Sequence, residues 1–234
     1  MADAAEVAGT ADKRVTGQEG RRVVSAGIRR ALSSGDMVPG QRLVEQELSE
    51  TFHATRSSVR EALQDLAADD LVELIPRRGA RVRVISVDEA VQITECRASL
   101  EGLCARRAAE LATEEHREVL RETRESMLKA VAAGDPETYS ALNRRLHDFI
   151  AEISGQKVAQ GLLDRLNGQM VRFQFRLALR PGRPAQSLPQ HVAIIDAVLS
   201  GDAEAAEAAS RAHLDNVVEA LRATPGQGDP AAGG

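Results

Sequence analysis

Two short β-prone runs, residues 71–75 and 81–85, interrupt a chain that otherwise favours helices, and they constrain its first third more than any other feature. Between them lies Pro76-Arg77-Arg78-Gly79-Ala80, a five-residue connection with a glycine able to take a positive φ. Three helical segments precede them. Val23, Val24, Ile28 and Leu32 mark the first, about 17–32, and Val44, Leu48 and Phe52 the second, about 44–53. The third, about 56–69, buries Val59, Ala62, Leu63 and Leu66 at the i, i+3, i+4, i+7 spacing of one helix face, with Thr55 where an N-cap belongs. Pro39-Gly40 turns the chain, after which Gln41-Arg42-Leu43 can form a short extended piece. Three helices followed by a hairpin is the plan of a winged helix-turn-helix, here spanning 17–85. Residues 1–16, rich in Ala and charge but without periodicity, read as a disordered arm.

Charge placement gives this unit a role. The chain carries a formal net charge of -5, so nucleic-acid binding must come from a local patch. Segments 54–60 and 77–83 together hold Arg56, Arg60, Arg77, Arg78, Arg81 and Arg83 with no acid between them. On the third helix Arg56, Ser57 and Arg60 lie off the apolar stripe, next to the positive end of the helix dipole. Arginine reads guanine edges in the major groove, and a basic hairpin tip can reach phosphates or the minor groove. A surface helix with two solvated arginines is the plainer reading of that segment taken alone. The hairpin arginines favour DNA.

The runs Pro39-Gly40-Gln41-Arg42-Leu43, Glu47-Leu48-Ser49-Glu50 and Thr55-Arg56-Ser57-Ser58-Val59-Arg60-Glu61-Ala62-Leu63 resemble the N-terminal domain of the GntR family of bacterial transcription regulators, and Arg78-Gly79-Ala80-Arg81-Val82 resembles its wing. The resemblance covers residues 22–85. It implies that Arg56, Ser57 and Arg60 contact a palindromic operator, with Thr55 on a phosphate and Arg78 and Gly79 at the wing tip. Two positions depart from the pattern. Gln46 stands where the fatty-acid regulator of the family has a DNA-contacting arginine, and Ser58 where proline is common.

After residue 85 the periodicity is helical throughout. Ser86, Thr113, Asp135 and Asp202 stand as N-caps, Pro136 follows its cap, and Gly155 and Gly201 fall at ends. The helices read as about 86–112, 113–132, 135–153, 157–179, 188–200 and 203–222, with a disordered tail at 224–234. Six helices joined by short links make an all-α antiparallel bundle over 86–223. The fold class is therefore mainly α, a winged helix-turn-helix followed by a six-helix bundle. Aromatic content of 2% agrees with cores built from aliphatic stripes. Cys96 and Cys104, eight apart on one helix, sit roughly 12 Å from one another, too far for a disulfide. Reduced cysteines, no apolar leader in 1–16 and no membrane-length apolar run lead us to expect a cytoplasmic protein.

Asn143 and His147 share a face of the third bundle helix at i, i+4, while His191 and His213 come from the fifth and sixth. Imidazole suits zinc, nickel and similar cations. From spacing alone, three unrelated histidines, hydrogen-bonded or at the surface, are the favoured reading. The bundle resembles the ligand-binding domain of the FadR subfamily of GntR regulators, in its smaller VanR-like form. That resemblance places His147, His191 and His213 on the domain's three metal-binding histidines, and Asn143 where many members have aspartate. It implies a divalent cofactor (Zn, or else Ni or Mn), a homodimer, and a small organic acid effector beside Arg97 and Glu101. An ordinary helix ion pair of about 0.3–0.5 kcal/mol is the plain reading of Arg97 and Glu101. Arg172 and Arg176, flanking Phe173 and Phe175, are weaker effector candidates, and repression relieved by effector is the commonest behaviour in the family. His53 next to the third helix can touch a phosphate, and His116 is expected to be an exposed first-turn residue. A metal-dependent hydrolase is the rival from another class, since an open metal position can activate water. It would need a carboxylate base, and Asp148 points about 100° round the helix from His147. A helical domain that senses its ligand without metal, and a purely architectural DNA binder, also fit these residues.

Overall fold

The computed structural model describes residues 14–178 and 180–223. The arm and tail expected at the two ends lie almost wholly outside these residues. Contacts divide the chain into two compact units, one ending at Val84 and the other beginning at Ile85.

The first unit contains α1 (Gly17–Ser34), β1 (Arg42–Leu43), α2 (Glu45–Thr51), α3 (Arg56–Ala68), β2 (Val72–Ile75) and β3 (Gly79–Val82). Helix α3 starts where Thr55 Oγ1 accepts the Ser58 amide, and its stripe of Val59, Ala62, Leu63 and Leu66 is fully buried. Those four residues pack with Val24 and Ile28 of α1, Leu43 of β1 and the inward residues Ala80 and Val82 of β3 in one core. Ser58 is also buried, with its hydroxyl 3.3 Å from the Gly17 carbonyl. A proline there would lose that tie between α3 and the start of α1.

The hairpin is tighter than the sequence suggests. Its second strand is β3 at residues 79–82, not 81–85, and three residues rather than five join it to β2. Pairing sets this register: Val72 faces Val82 and Ile75 faces Gly79, while the Arg78 amide closes on the Ile75 carbonyl at 2.9 Å. The β-branched residues beyond Val82 have no strand to pair with, because β2 begins opposite Val82 and β1, on the other edge of β3, begins opposite Arg81. The sheet order is β1-β3-β2.

The second unit is six helices: α4 (Val87–Leu111), α5 (Glu114–Ala132), α6 (Pro136–Ile153), α7 (Lys157–Ala178), α8 (Arg183–Ser200) and α9 (Ala203–Arg222). Ser86, Thr113, Asp135 and Asp202 each accept a backbone N–H as N-caps. His116 is half-buried rather than exposed, because its Nδ1 accepts the Thr113 amide in a capping box and its ring meets Phe149 edge-on. Helix α8 begins five residues before its expected start at 188. Pro184 lies in its first turn, where an N–H has no helical partner to lose, and the helix continues through Pro189. One core joins Leu120 and Met127 of α5, Leu146 and Ile150 of α6, and Ile194, Ile195 and Val198 of α8. A second joins Ala90 and Val91 of α4 to Met170 of α7 and Leu221 of α9. Among the described residues no helix is long and apolar enough to cross a membrane.

Gly79 has φ +87°, and a Cβ there would lie 2.2 Å from the Leu43 carbonyl oxygen. Gly79→Ala should therefore cost the first unit about 1–3 kcal/mol, from positive-φ strain and the clash with β1. Hydrogen exchange at the Ala80 and Val82 amides should speed up accordingly, and unchanged protection would contradict the β1–β3 packing.

Candidate functional site

Helix α3 exposes Arg56, Ser57 and Arg60, off its buried stripe. Both arginines are already held, by the first two residues of α2. Arg56 donates through Nε to Gln46 Oε1 at 2.7 Å and through Nη2 to the same oxygen. Arg60 lies fork-to-fork on Glu45, with Nε to Oε1 at 3.1 Å and Nη2 to Oε2 at 2.9 Å. Arg60's hydrogen bond, partly opposed by burial, keeps the Glu45 carboxyl below its ordinary range. The arginine clusters that hold no acid in sequence therefore meet acids in space: Glu45 at Arg60, and Glu73 at Arg81, 2.8 Å away. Gln46 stands as the partner of Arg56. A cleft of about 650 Å³ runs from these residues to the exposed Arg77 and Arg78 of the wing.

In the second unit, His147 of α6, His191 of α8 and His213 of α9 converge, with one ligand atom from each lying within 4.8 Å of the others. His147 Nε2 is 3.4 Å from His191 Nε2. The outer nitrogens are taken. His191 Nδ1 is 2.7 Å from the Tyr139 hydroxyl, which is 3.1 Å from Ser187 Oγ, and the serine hydroxyl in turn donates to the Arg183 carbonyl at 2.9 Å. His213 Nδ1 is 3.0 Å from Gln190 Oε1, an acceptor, so this nitrogen carries the proton. His147 Nδ1 stands 2.9 Å from Glu101 Oε2, within ion-pair range but off the line of a hydrogen bond. With Nδ1 hydrogen-bonded on His191 and His213 and set against Glu101 on His147, Nε2 is the nitrogen each ring has left for a ligand. Such outer partners fix the tautomer and orientation of metal-binding histidines.

Two buried oxygens, Asn143 Oδ1 and Glu101 Oε2, have no hydrogen-bond partner among the described residues. A buried acceptor left bare costs about 1–3 kcal/mol. Asn143 lies one turn before His147, so its bare amide oxygen with three imidazole nitrogens is a donor set that could hold a divalent cation. The amide contributes no charge, unlike a carboxylate. Burial, then the neighbouring His147, pushes His213 down to about 3. Burial also lowers His191 well below its ordinary value, with His213 and His147 adding to the effect. Burial works to raise Glu101, but Arg97 and then His147 outweigh it and hold the carboxyl well below the usual range.

Arg97 and Glu101, expected at the effector, form a buried pair, Arg97 Nε and Nη2 both donating to Glu101 Oε1 at 3.0 and 2.7 Å. The side chains of Arg172 and Arg176 lie outside the described residues. Tyr139, Ser187, Gln190 and Arg183 join the site without having been expected from the sequence. Their signal is nonetheless present there. Tyr139, Asn143 and His147 are spaced i, i+4, i+8 on α6, as are Arg183, Ser187 and His191 on α8.

Residues 92–216 match the family model described as "FCD domain", and residues 21–82 match "Bacterial regulatory proteins, gntR family". The chain is 28% identical over 195 residues to the HTH-type transcriptional repressor RspR of Escherichia coli, covering 83% of this chain and 86% of that protein. Its fold matches that of E. coli McbR/YncC, with a TM-score of 0.74 at 21% identity over 87% of this chain and 97% of the other. A putative GntR transcriptional regulator from Rhodococcus matches with a TM-score of 0.68 at 22% identity, covering 89% of this chain and 100% of the other.

Unfolded, His191 and His213 titrate near their ordinary value of 6.5; folded, both stay neutral well below it. The unfolded chain thus binds more protons as pH falls through 6.5, and metal-free protein should lose stability by about 1.4 kcal/mol for each histidine between about pH 7.5 and 5.5, most of it below 6.5. Glu101, depressed when folded, adds loss of the same sign below its ordinary 4.5. Denaturant unfolding of chelator-treated protein between about pH 7.5 and 5.5 measures the slope. A flat profile would contradict the buried, neutral cluster.

Proposed function

The chain belongs to the GntR family of bacterial regulators that carry an FCD domain, and from that premise we propose a cytoplasmic repressor that binds a palindromic operator as a homodimer and releases it when a small carboxylate enters the helical domain beside a divalent metal, zinc first among candidates. The observation that carries this reading is the convergence of His147, His191 and His213, oriented from behind, in a chain whose other unit exposes Arg56 and Arg60 on a capped helix.

Each unit contributes a distinct part. Arg56, Ser57 and Arg60 enter the major groove, where the two guanidiniums exchange Gln46 and Glu45 for base edges. Thr55 reaches a phosphate, and Arg78 and Gly79 reach the backbone or the adjacent minor groove. In the helical unit, Asn143 and the three histidines hold the metal, which when bound supplies a Lewis-acidic seat for a carboxylate oxygen. Arg97 and Glu101 wall that seat, and Glu101 keeps His147 aligned. The effector acts through a difference in its affinity for DNA-competent and DNA-incompetent arrangements of the dimer. The name of the related RspR, a transcriptional repressor, supports the sign. A hydrolase would need a carboxylate free to accept a proton at the metal. Glu101 is engaged by Arg97 and lies against His147, while Asp148 is exposed.

Fluorescence anisotropy with an operator fragment selected from random DNA tests the reading. Arg56→Ala and Arg60→Ala should each weaken operator binding by about 1–3 kcal/mol and relax specificity at their own base pairs. Two variants that bind like wild type would refute the groove assignment.

A further inference from the structure

The helical unit buries two guanidiniums near the histidines, and their charges are met differently. Arg97 is answered by a carboxylate, with two of its nitrogens on Glu101 Oε1. Arg183 is 8% exposed and has no carboxylate partner among the described residues. Its Nη1 donates to a neutral acceptor, Asn216 Oδ1, at 2.8 Å. Burial lowers its affinity for its proton, and the neighbouring Arg180 adds to the effect. A cation taken out of water without a counter-charge is costly, and a bound anion would remove the cost.

Position says which anion. On α8, Arg183 stands two turns before His191, and its backbone carbonyl is joined to that ring through the Ser187 and Tyr139 hydroxyls. Its side chain reaches across to Asn216 on α9, three residues from His213, so the contacted residue is roughly 5 Å along the helix from the cluster at 1.5 Å per residue. Arg97 has its counter-charge in Glu101, whereas Arg183 is left with a neutral amide. We infer that Arg183 is the anion clamp of the effector site, taking one carboxylate of a small di- or tricarboxylate whose other oxygens reach the histidine cluster. This rests on the carboxylate-effector reading above and moves the charge recognition from Arg97 to Arg183. Arginine suits the task, because its planar fork pairs with both oxygens of a carboxylate. Asn216 holds the fork in place, and the neutral amide leaves the positive charge available.

The test is calorimetric titration of the full-length, zinc-loaded protein with succinate, citrate, acetate and inorganic phosphate. Succinate or citrate should bind wild type more tightly than acetate or phosphate. Arg183→Gln should weaken that binding about 10- to 100-fold, as expected for losing charged hydrogen bonds, and Arg183→Lys should restore part of it. Zinc content, circular dichroism and acetate binding should stay at wild-type values in both variants, which separates a lost clamp from a damaged fold. Equal citrate and succinate affinity in wild type and Arg183→Gln would overturn the clamp while leaving the carboxylate-effector reading in place. Preference for phosphate would overturn the ligand class. Failure of every carboxylate to bind wild type would overturn both the clamp and the reading it rests on.

Discussion

The second unit is organised around three converging imidazoles, two of them hydrogen-bonded from behind through Nδ1 and the third, His147, with its Nδ1 against a carboxylate. Glu101, Tyr139 and Gln190 supply those rear contacts from α4, α6 and α8. Without them the rings could rotate or change tautomer, and buried histidines would be a polar burden in an aliphatic core. With them, the arrangement that leaves Nε2 on each ring for a ligand is fixed before anything binds. The bundle helices that supply the rings are in turn set by Ile194, Ile195, Leu146 and Leu214, all nearly or fully buried. Packing aims the helices, and the outer hydrogen bonds aim the rings.

Charge follows the same division of labour in both units. In the helical unit Glu101 compensates Arg97 and lies against His147, so one buried carboxylate both balances a cation and aligns a ring. In the winged-helix unit, Glu45 and Gln46 at the start of α2 hold Arg60 and Arg56. Both arginines are mostly solvent-facing, so their pairs contribute little stability. What the pairs do is order long side chains that would otherwise sample many rotamers, which lowers the entropy lost if a ligand replaces the partner.

Much of this is legible in the sequence because it is local. Caps at Ser86, Asp135 and Asp202, the apolar stripe of α3, and the histidine positions on three helices depend on spacing and chemistry within a few residues. The shift of β3 is not legible, because register depends on Val72 meeting Val82 and on β1 arriving from the other side. A start at 188 for α8 breaks the i, i+4, i+8 row of Arg183, Ser187 and His191 and hides the hydroxyl relay. The acids beside the recognition arginines escape the sequence for a related reason. A window free of Asp and Glu along the chain says nothing about α2 folding against it. The family resemblance supplies metal ligands and DNA contacts, yet it does not contain the compensating partners, which belong to tertiary structure.

The central claim is that the histidine cluster is a metal seat, and its most direct test is the metal content of the purified protein. Inductively coupled plasma mass spectrometry on protein prepared without chelator should find about one divalent ion per chain in wild type, as a single donor set of three histidines and Asn143 requires. His147→Ala, His191→Ala and His213→Ala should each lose most of it while remaining helical by circular dichroism. Wild type with negligible metal, or variants that retain the wild-type amount, would contradict the account.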